Sequence, residues 1–339
     1  DRPWPEIRNN NYVGCYNAFE AARELGVARV VFASRAGLLG AYPDSVQRTV
    51  DMVPRPRGLY DNSKVLGEGF GYLYSAVHGM GCVSVRIGNF NPERDRPEHP
   101  HHLSHGDCVR VFEAAVSHPD VQNEIVFGVS HSDWPLYDME HGRAAIGYHP
   151  QDVTRVAEAD RTFDRSEPEE PVAPDPPRRV LITGAAGRVG SVLVDGLRDR
   201  YEIRGLDQVD MPGMSDTVVG SVSDYDACLR ATRDMDAVIH LAGVPTGGSP
   251  WNDVLEANFD GTYNIMAAAR ENGVRRIGYA SRAGILSPYP KDEQRTVGMM
   301  PRPQSYYTMS KVFGEGLGHM YAWRYGMRFT SVRIGNFKL

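Results

Sequence analysis

One long stretch of this chain is written twice. Trp4 to Phe90 recurs as Trp251 to Phe337 without a gap, with about half the positions identical. An uninterrupted repeat of this length is too long for a solenoid unit and implies duplication of a domain-sized piece. Both copies carry the same punctuation. The first reads Ser34-Arg35-Ala36-Gly37, Tyr60-Asp61-Asn62-Ser63-Lys64 and Arg86-Ile87-Gly88-Asn89. The second reads Ser281-Arg282-Ala283-Gly284, Tyr307-Thr308-Met309-Ser310-Lys311 and Arg333-Ile334-Gly335-Asn336. What flanks the repeat differs between the copies, and the flanks decide which copy can act.

Between the copies, residues 165–177 read Arg-Ser-Glu-Pro-Glu-Glu-Pro-Val-Ala-Pro-Asp-Pro-Pro. Pro and Glu at this density build no core and give an extended spacer. The chain is therefore expected to split into a first module over 1–164 and a second over 178–339. In the second, Arg179 to Thr183 is a short apolar run ending at glycine, as a buried parallel strand should. A helix is expected over Gly187 to Arg200. Further strands are expected over Tyr201 to Asp207, Ala237 to Ala242, Arg276 to Ser281 and Phe329 to Ile334, with helices near 252–272 and 306–325. This alternation predicts an α/β fold, a Rossmann-type doubly wound parallel sheet with a partial tandem duplication. The first module enters partway through the same series: helix Tyr12 to Leu25, then strands Arg29 to Ala33 and Cys82 to Ile87. It continues with a strand over Glu124 to Val129 and a helix near Asp138 to Ile146.

A net charge of −6 argues against nucleic acid or an anionic membrane as the main partner. No apolar run approaches the ~20 residues of a membrane span. The first residues, Asp1-Arg2-Pro3-Trp4, show neither a signal-peptide pattern nor an initiator Met, so the chain is expected to start mid-protein. Cys15, Cys82, Cys108 and Cys228 form no Cys-x-x-Cys pair, which fits a reduced, cytoplasmic setting.

Thr183-Gly184-Ala185-Ala186-Gly187-Arg188-Val189-Gly190 follows a strand and opens a helix. Glycines there let the backbone turn tightly and approach a pyrophosphate, whose charge meets the helix N-terminus. The strand before, the helix after and an acidic residue closing the next strand make this a dinucleotide-binding signature. That residue, Asp207, is placed to accept hydrogen bonds from ribose hydroxyls and to repel a 2′-phosphate, which favours NAD over NADP. Tyr307 and Lys311 lie four apart on a predicted helix and share a face. A free phenol has a pKa of about 10, too high for a general base at neutral pH. A neighbouring ammonium and a cationic nicotinamide ring favour the phenolate. Tyr-x-x-x-Lys is common by chance and gains weight only from the glycine loop upstream.

Taken with Leu241-Ala242-Gly243 and Asn258, these residues resemble the extended short-chain dehydrogenase/reductase superfamily. Pro250-Trp251-Asn252-Asp253, Tyr-x-x-x-Ser-Lys-x-x-Gly-Glu and Arg-Ile-Gly-Asn are similar to uronate dehydrogenases and archaeal NAD-dependent glucose-6-phosphate dehydrogenases. The resemblance implies NAD-dependent oxidation of a sugar at C1, with Tyr307 as base and Lys311 holding the nicotinamide ribose and tuning the tyrosine. It places NAD against Gly184, Ala186, Gly187, Arg188, Val189, Gly190, Asp207, Val222, Leu241, Ala242, Gly243, Asn258, Tyr307 and Lys311. It also implies association through the Tyr/Lys helices, as a pseudo-dimer of the two copies or a homo-oligomer.

Two departures stand out. The family usually has Ser-Ser or Ser-Thr where this chain has Ser281-Arg282, and its second residue polarises the reacting oxygen. Ser281 or Arg282 is therefore expected to orient the substrate, although alternation along a strand turns Ser281 to the opposite face. Arginine at 282 is suited to an oxyanion, a carboxylate or a phosphate. Against the adenine, the family's Asp is replaced by Ser221, followed by Val222. The first module keeps Tyr60 and Lys64 without a glycine loop, and holds the substrate-side region over 91–152. Arg94 and Arg96 fall near a carboxylate-binding arginine of uronate dehydrogenases. His99, His101, His102 and His105, with Asp107 and Cys108 nearby, match no zinc spacing with a second ligand pair, so no metal is expected. Two other readings stay open: a non-catalytic NAD-binding or assembly module, and a nucleotide-sugar epimerase or dehydratase on the same scaffold.

Overall fold

The computed structural model describes residues 2–95, 101–157, 161 and 176–337. The linker expected over 165–177 lies outside them except for its last two prolines, as do Arg96 and His99. The chain divides into two units, Asp1–Ser166 with Pro288–Gln304, and Glu167–Ser287 with Ser305–Leu339.

The first unit begins with a helix, α1 (Trp4–Ile7), that passes through a π-turn over Arg8–Val13 into α2 (Gly14–Glu24). Strand β1 (Arg29–Arg35), α3 (Leu59–His78) and β2 (Gly81–Ile87) follow, then α4 (His105–Ser117) and β3 (Asn123–Gly128). The described part closes with β4 (His131–Ser132), α5 (Glu140–Ile146) and β5 (Val153–Thr154). The main sheet runs β1-β2-β3, all parallel, and β4 pairs with β5. Val83, Val85, Val111, Val126, Ile146 and Tyr148 form its core between strands and helices.

The second unit contains β6 (Arg179–Thr183), α6 (Arg188–Leu197), β7 (Glu202–Asp207), β8 (Thr217–Val219), α7 (Tyr225–Thr232) and β9 (Ala237–His240). Next come α8 (Trp251–Val254), a second π-turn over Leu255–Asp260, α9 (Gly261–Glu271), β10 (Arg276–Arg282), α10 (Tyr306–Tyr325) and β11 (Arg328–Ile334). Its six strands run β11-β10-β9-β6-β7-β8, all pairs parallel. Numbered within the unit this is the order 3-2-1-4-5-6, the doubly wound arrangement. The two copies of the repeated sequence thus build the same succession of elements, π-turn included.

The helix expected from Tyr12 starts eight residues earlier, at Trp4. The π-turn inserts an extra residue and throws the apolar spacing out of its 3.6 period, so the two halves do not read as one helix. Helices α4 and α7 were not anticipated from the sequence.

Glycines set how closely α3 and α10 lie on their strands. A Cβ on Gly314 would stand 2.2 Å from the Tyr279 ring, and one on Gly318 2.2 Å from Phe329. Gly67 has the same relation to Phe32, and Gly71 to Cys82. Helix α10 opens with a reciprocal capping box between Ser305 and Thr308 and stops at Gly326, whose φ is +59°. We expect Gly314→Ala to lower the urea unfolding free energy by about 1–3 kcal/mol through overpacking against Tyr279. Gly196→Ala in α6, where a Cβ meets nothing within 4 Å, should raise it by about 0.5–1 kcal/mol.

Candidate active site

Strands β6 and β9 lie side by side at the centre of the second sheet, where the strand order reverses. Ligands of doubly wound sheets bind in the crevice beyond the carboxyl ends of such a pair. The glycine turn fills that place. Gly184 has φ +70°, and a Cβ on it would sit 2.9 Å from the Ala242 nitrogen. A Cβ on Gly190 would sit 2.1 Å from the Gly184 carbonyl oxygen. The first glycine therefore admits the turn and the third admits the close approach of α6. Gly187 caps α6, and Ala186, Gly187 and Arg188 are exposed at its N-terminus. Val189 is half-buried and Gly190 buried. Asp207 ends β7 and accepts from the Ala186 amide at 3.0 Å and the Gln208 amide at 2.7 Å.

Below the turn runs a buried polar chain. Thr183 Oγ1 accepts from the Leu241 and Ala242 amides, each at 3.2 Å. Its own proton is then directed to His240 Nδ1, 2.7 Å away. His240 Nε2 in turn donates to Thr262 Oγ1 at 3.1 Å. The Thr262 hydroxyl engages the Tyr279 phenol, which donates to the Ser310 carbonyl at 3.2 Å. Thr183, His240, Thr262 and Tyr279 are all at most 2% exposed. Burial, aided by the Lys311 charge, pushes the His240 pKa down to about 3, so the ring is neutral. None of these residues was singled out from the sequence. The available signal was a histidine inside the apolar run Ala237 to Ala242.

The second π-turn positions Asn258. Its Oδ1 accepts from the Val244 amide at 2.7 Å, and its Nδ2 donates to the Val244 carbonyl at 3.2 Å and to Ser310 Oγ at 2.9 Å. Gly243, at φ +147°, makes room: a Cβ there would lie 3.0 Å from Asn258 Oδ1. Asn258 therefore ties the Leu241-Ala242-Gly243 loop to α10. Val222 is buried beside Gly261, and its carbonyl accepts from Asn264 Nδ2 at 3.1 Å.

On α10, Tyr307 is half-buried and Lys311 buried, with the ammonium 5.3 Å from the Tyr307 ring centroid. Burial first, and the Arg282 charge second, bring the Lys311 pKa down to about 8. Arg282 is exposed and holds its guanidinium carbon 5.5 Å from the same ring centroid. Ser281 turns the other way, as strand alternation predicts, and donates to Glu315 Oε1 at 2.6 Å. Glu315 also takes both Arg333 Nε (2.9 Å) and Nη2 (2.8 Å). Of the two candidates at the end of β10, Arg282 faces Tyr307 and Ser281 faces the Glu315–Arg333 pair.

The first unit repeats part of this. Lys64 stands 5.1 Å from the Tyr60 ring centroid and donates to the Ala33 carbonyl at 2.9 Å. Asn11 Nδ2 donates to Ser63 Oγ at 3.0 Å. The polar chain is absent from it: Cys15 and Phe32 occupy the places of Thr262 and Tyr279. Arg94 is exposed. Of the histidines, His102 Nε2 lies 3.3 Å from Asp95 Oδ1, and His105 Nε2 lies 2.8 Å from the Asn91 carbonyl. Among the described residues no three His, Cys, Asp or Glu groups converge as a metal site, and no helix is long and apolar enough to cross a membrane.

Residues 3–124 and 180–338 match the NAD dependent epimerase/dehydratase family. The chain belongs to that family. Within curated proteins it is 37% identical over 169 residues to an L-arabinose 1-dehydrogenase (NAD(P)(+)) of Haloferax volcanii, covering 46% of this chain and 66% of that protein. It is 36% identical to a uronate dehydrogenase of Pseudomonas syringae pv. tomato, covering 48% of this chain and 60% of the relative. It is also 36% identical to an NAD-dependent glucose-6-phosphate dehydrogenase of Haloferax volcanii, covering 45% and 64%. The chain thus spans less than two thirds of the length of each.

Two pH effects follow from the buried titratable groups. His240 is held neutral well below its usual 6.5, so the unfolded chain takes up a proton first as pH falls. Stability should therefore drop between about pH 6.5 and 3, by up to about 1.4 kcal/mol per unit. Urea midpoints measured across that window should fall less steeply in His240→Asn. Lys311 is buried as a cation below about pH 8, at a cost that is relieved as pH rises from there toward 10.5. Lys311→Met should therefore raise the melting temperature at neutral pH, and the gain should shrink above pH 8.

Proposed function

We propose that the second unit binds NAD at the β6–α6 turn and that the protein oxidises a sugar of the uronate or sugar-phosphate kind. The observation carrying this reading is the juxtaposition, in one unit, of the glycine turn at the reversal point of the sheet with the half-buried Tyr307 and buried Lys311 at the start of α10. The turn fits a dinucleotide diphosphate. A side chain at Gly184 or Gly190 would fill the place the backbone needs, and the exposed N-terminus of a ten-residue helix faces outward there. The names of the three relatives, all sugar dehydrogenases, support the reaction class.

When bound, NAD supplies the acceptor for the hydrogen that leaves the sugar carbon with its electron pair. The remaining work belongs to this chain. Tyr307 takes the proton from the sugar hydroxyl at C1, giving a lactone. Lys311 favours the phenolate through its charge and holds the nicotinamide ribose. Asp207 meets the adenosine ribose, in exchange for the Ala186 amide it now holds. Gly184, Ala186, Gly187, Arg188, Val189 and Gly190 surround the diphosphate, and Val222, Leu241, Ala242, Gly243 and Asn258 line the rest of the crevice. Arg282 orients the substrate, and Ser281 anchors the end of β10 to α10 through Glu315. The four cysteines are free, in keeping with a reducing, cytoplasmic setting.

The test is NADH absorbance with galacturonate, glucuronate and glucose 6-phosphate, run beside NAD-induced thermal stabilisation. We expect turnover with at least one sugar, and a loss of roughly 10²–10⁴-fold in kcat for Tyr307→Phe, the range for a positioned general base. That variant should keep its stabilisation by NAD. No absorbance with any sugar, while NAD still raises the melting temperature, would leave a binding module in place of a dehydrogenase.

A further inference from the structure

The two copies differ in one charge beside the tyrosine. In the first unit, Arg35 Nη1 pairs with Asp61 Oδ1 at 2.9 Å, and Asp61 Oδ2 also accepts from the Arg57 amide at 3.1 Å. The carboxylate sits in the first turn of α3, which has no side-chain cap at Gly58. The second copy has Thr308 at the corresponding place. There the neutral Ser305–Thr308 box caps the helix: Thr308 Oγ1 accepts from the Ser305 amide at 3.0 Å and donates to its carbonyl at 2.9 Å. The change of cap removes the anion that neutralised the arginine.

Among the described residues no other acid replaces it. Glu315, one turn beyond Lys311, is engaged by Ser281, Ser331 and Arg333. Its counterpart Glu68 is engaged in the same way by Ser34 and Arg86. Among the described residues no carboxylate pairs with Arg282, whose side chain lies along Gly284 and over Tyr307. Tyr307 is thus flanked by two cations, where Tyr60 is flanked by two cations and a carboxylate.

We propose that Arg282 is a specificity residue that receives an anionic group of the sugar, a carboxylate or a phosphate monoester. The planar guanidinium suits either group through paired N–H donors, and a nearby uncompensated ammonium adds to the attraction. Burial first, and the Arg282 charge second, lower the proton affinity of Lys311, and the second of these agrees with an excess of positive charge there. The inference rests on the reading of the second unit as a sugar dehydrogenase, and narrows it: among aldoses, those carrying a negative charge are selected over neutral ones. The substrate's own anion supplies to Arg282 the counter-charge that Asp61 supplies to Arg35.

Calorimetric titration of the NADH-saturated chain, which has no hydride acceptor and so cannot turn the sugar over, with D-galacturonate, D-glucose 6-phosphate and neutral D-galactose tests this. A charge-assisted contact predicts at least one anionic sugar binding roughly ten-fold or more tighter than galactose, and the two anions together tell carboxylate from phosphate. Arg282→Gln, an exposed position, should bring the ratio close to one. Thr308→Asp, which restores the first unit's carboxylate at a helix N-terminus where an acid is favoured, should do the same while NAD stabilisation is kept. Equal binding of all three sugars, or a preference that survives both variants, would overturn the assignment and leave the dinucleotide reading standing. A chain that NAD does not stabilise overturns that reading, and this one with it.

Discussion

The hydroxyl of Thr183 holds the second unit's site together. It accepts from two successive amides just past the end of the strand beside it and donates to a histidine with no access to water. A buried polar group without partners is costly, so such a chain is stable only when every member is satisfied. Here each link fixes the next: Thr183 sets the His240 tautomer, His240 orients Thr262, and Tyr279 closes on the Ser310 carbonyl between Tyr307 and Lys311. The glycine turn at one end and the tyrosine helix at the other are therefore registered to each other through one continuous line of hydrogen bonds.

The first unit shows what remains when that line is not needed. Among the described residues its sheet has no strand on the side of β1 away from β2, so a threonine and a tyrosine at positions 15 and 32 would have no histidine to meet. Cysteine and phenylalanine stand there, while the features that depend only on the repeated segment persist. The Asn11–Ser63 bond, the Lys64–Tyr60 pair and the Glu68–Arg86 pair all match their counterparts. Arg86 and Glu68 are more deeply buried than Arg333 and Glu315.

Much of this was legible in the sequence because the signals were local. The Arg179–Thr183 run, the glycine trio and the strand-helix alternation define the doubly wound sheet, and four-residue spacing puts Tyr307 and Lys311 on one face. The opposed facing of Ser281 and Arg282 also followed from strand alternation alone. The buried relay was not legible, because Thr183, His240, Thr262 and Tyr279 are scattered over four elements that only the sheet order unites. The loss of Asp61 at Thr308 was visible as a substitution, but its meaning required knowing that the residue faces Arg35 in one unit and a capping serine in the other.

The π-turns carry a consequence for how such chains can change length. Each inserts one residue into an otherwise continuous helix, and a residue turns an α-helix by about 100°. Deleting one position within 255–257 would leave a regular helix, yet rotate Trp251 and everything before it in the helix away from α10 while Asn258 and Gly261 stayed in place. Insertions or deletions there cannot be absorbed gradually. Descendants of this chain should therefore vary freely in the Gly247–Gly248 loop but keep the count from Trp251 to Gly261 fixed.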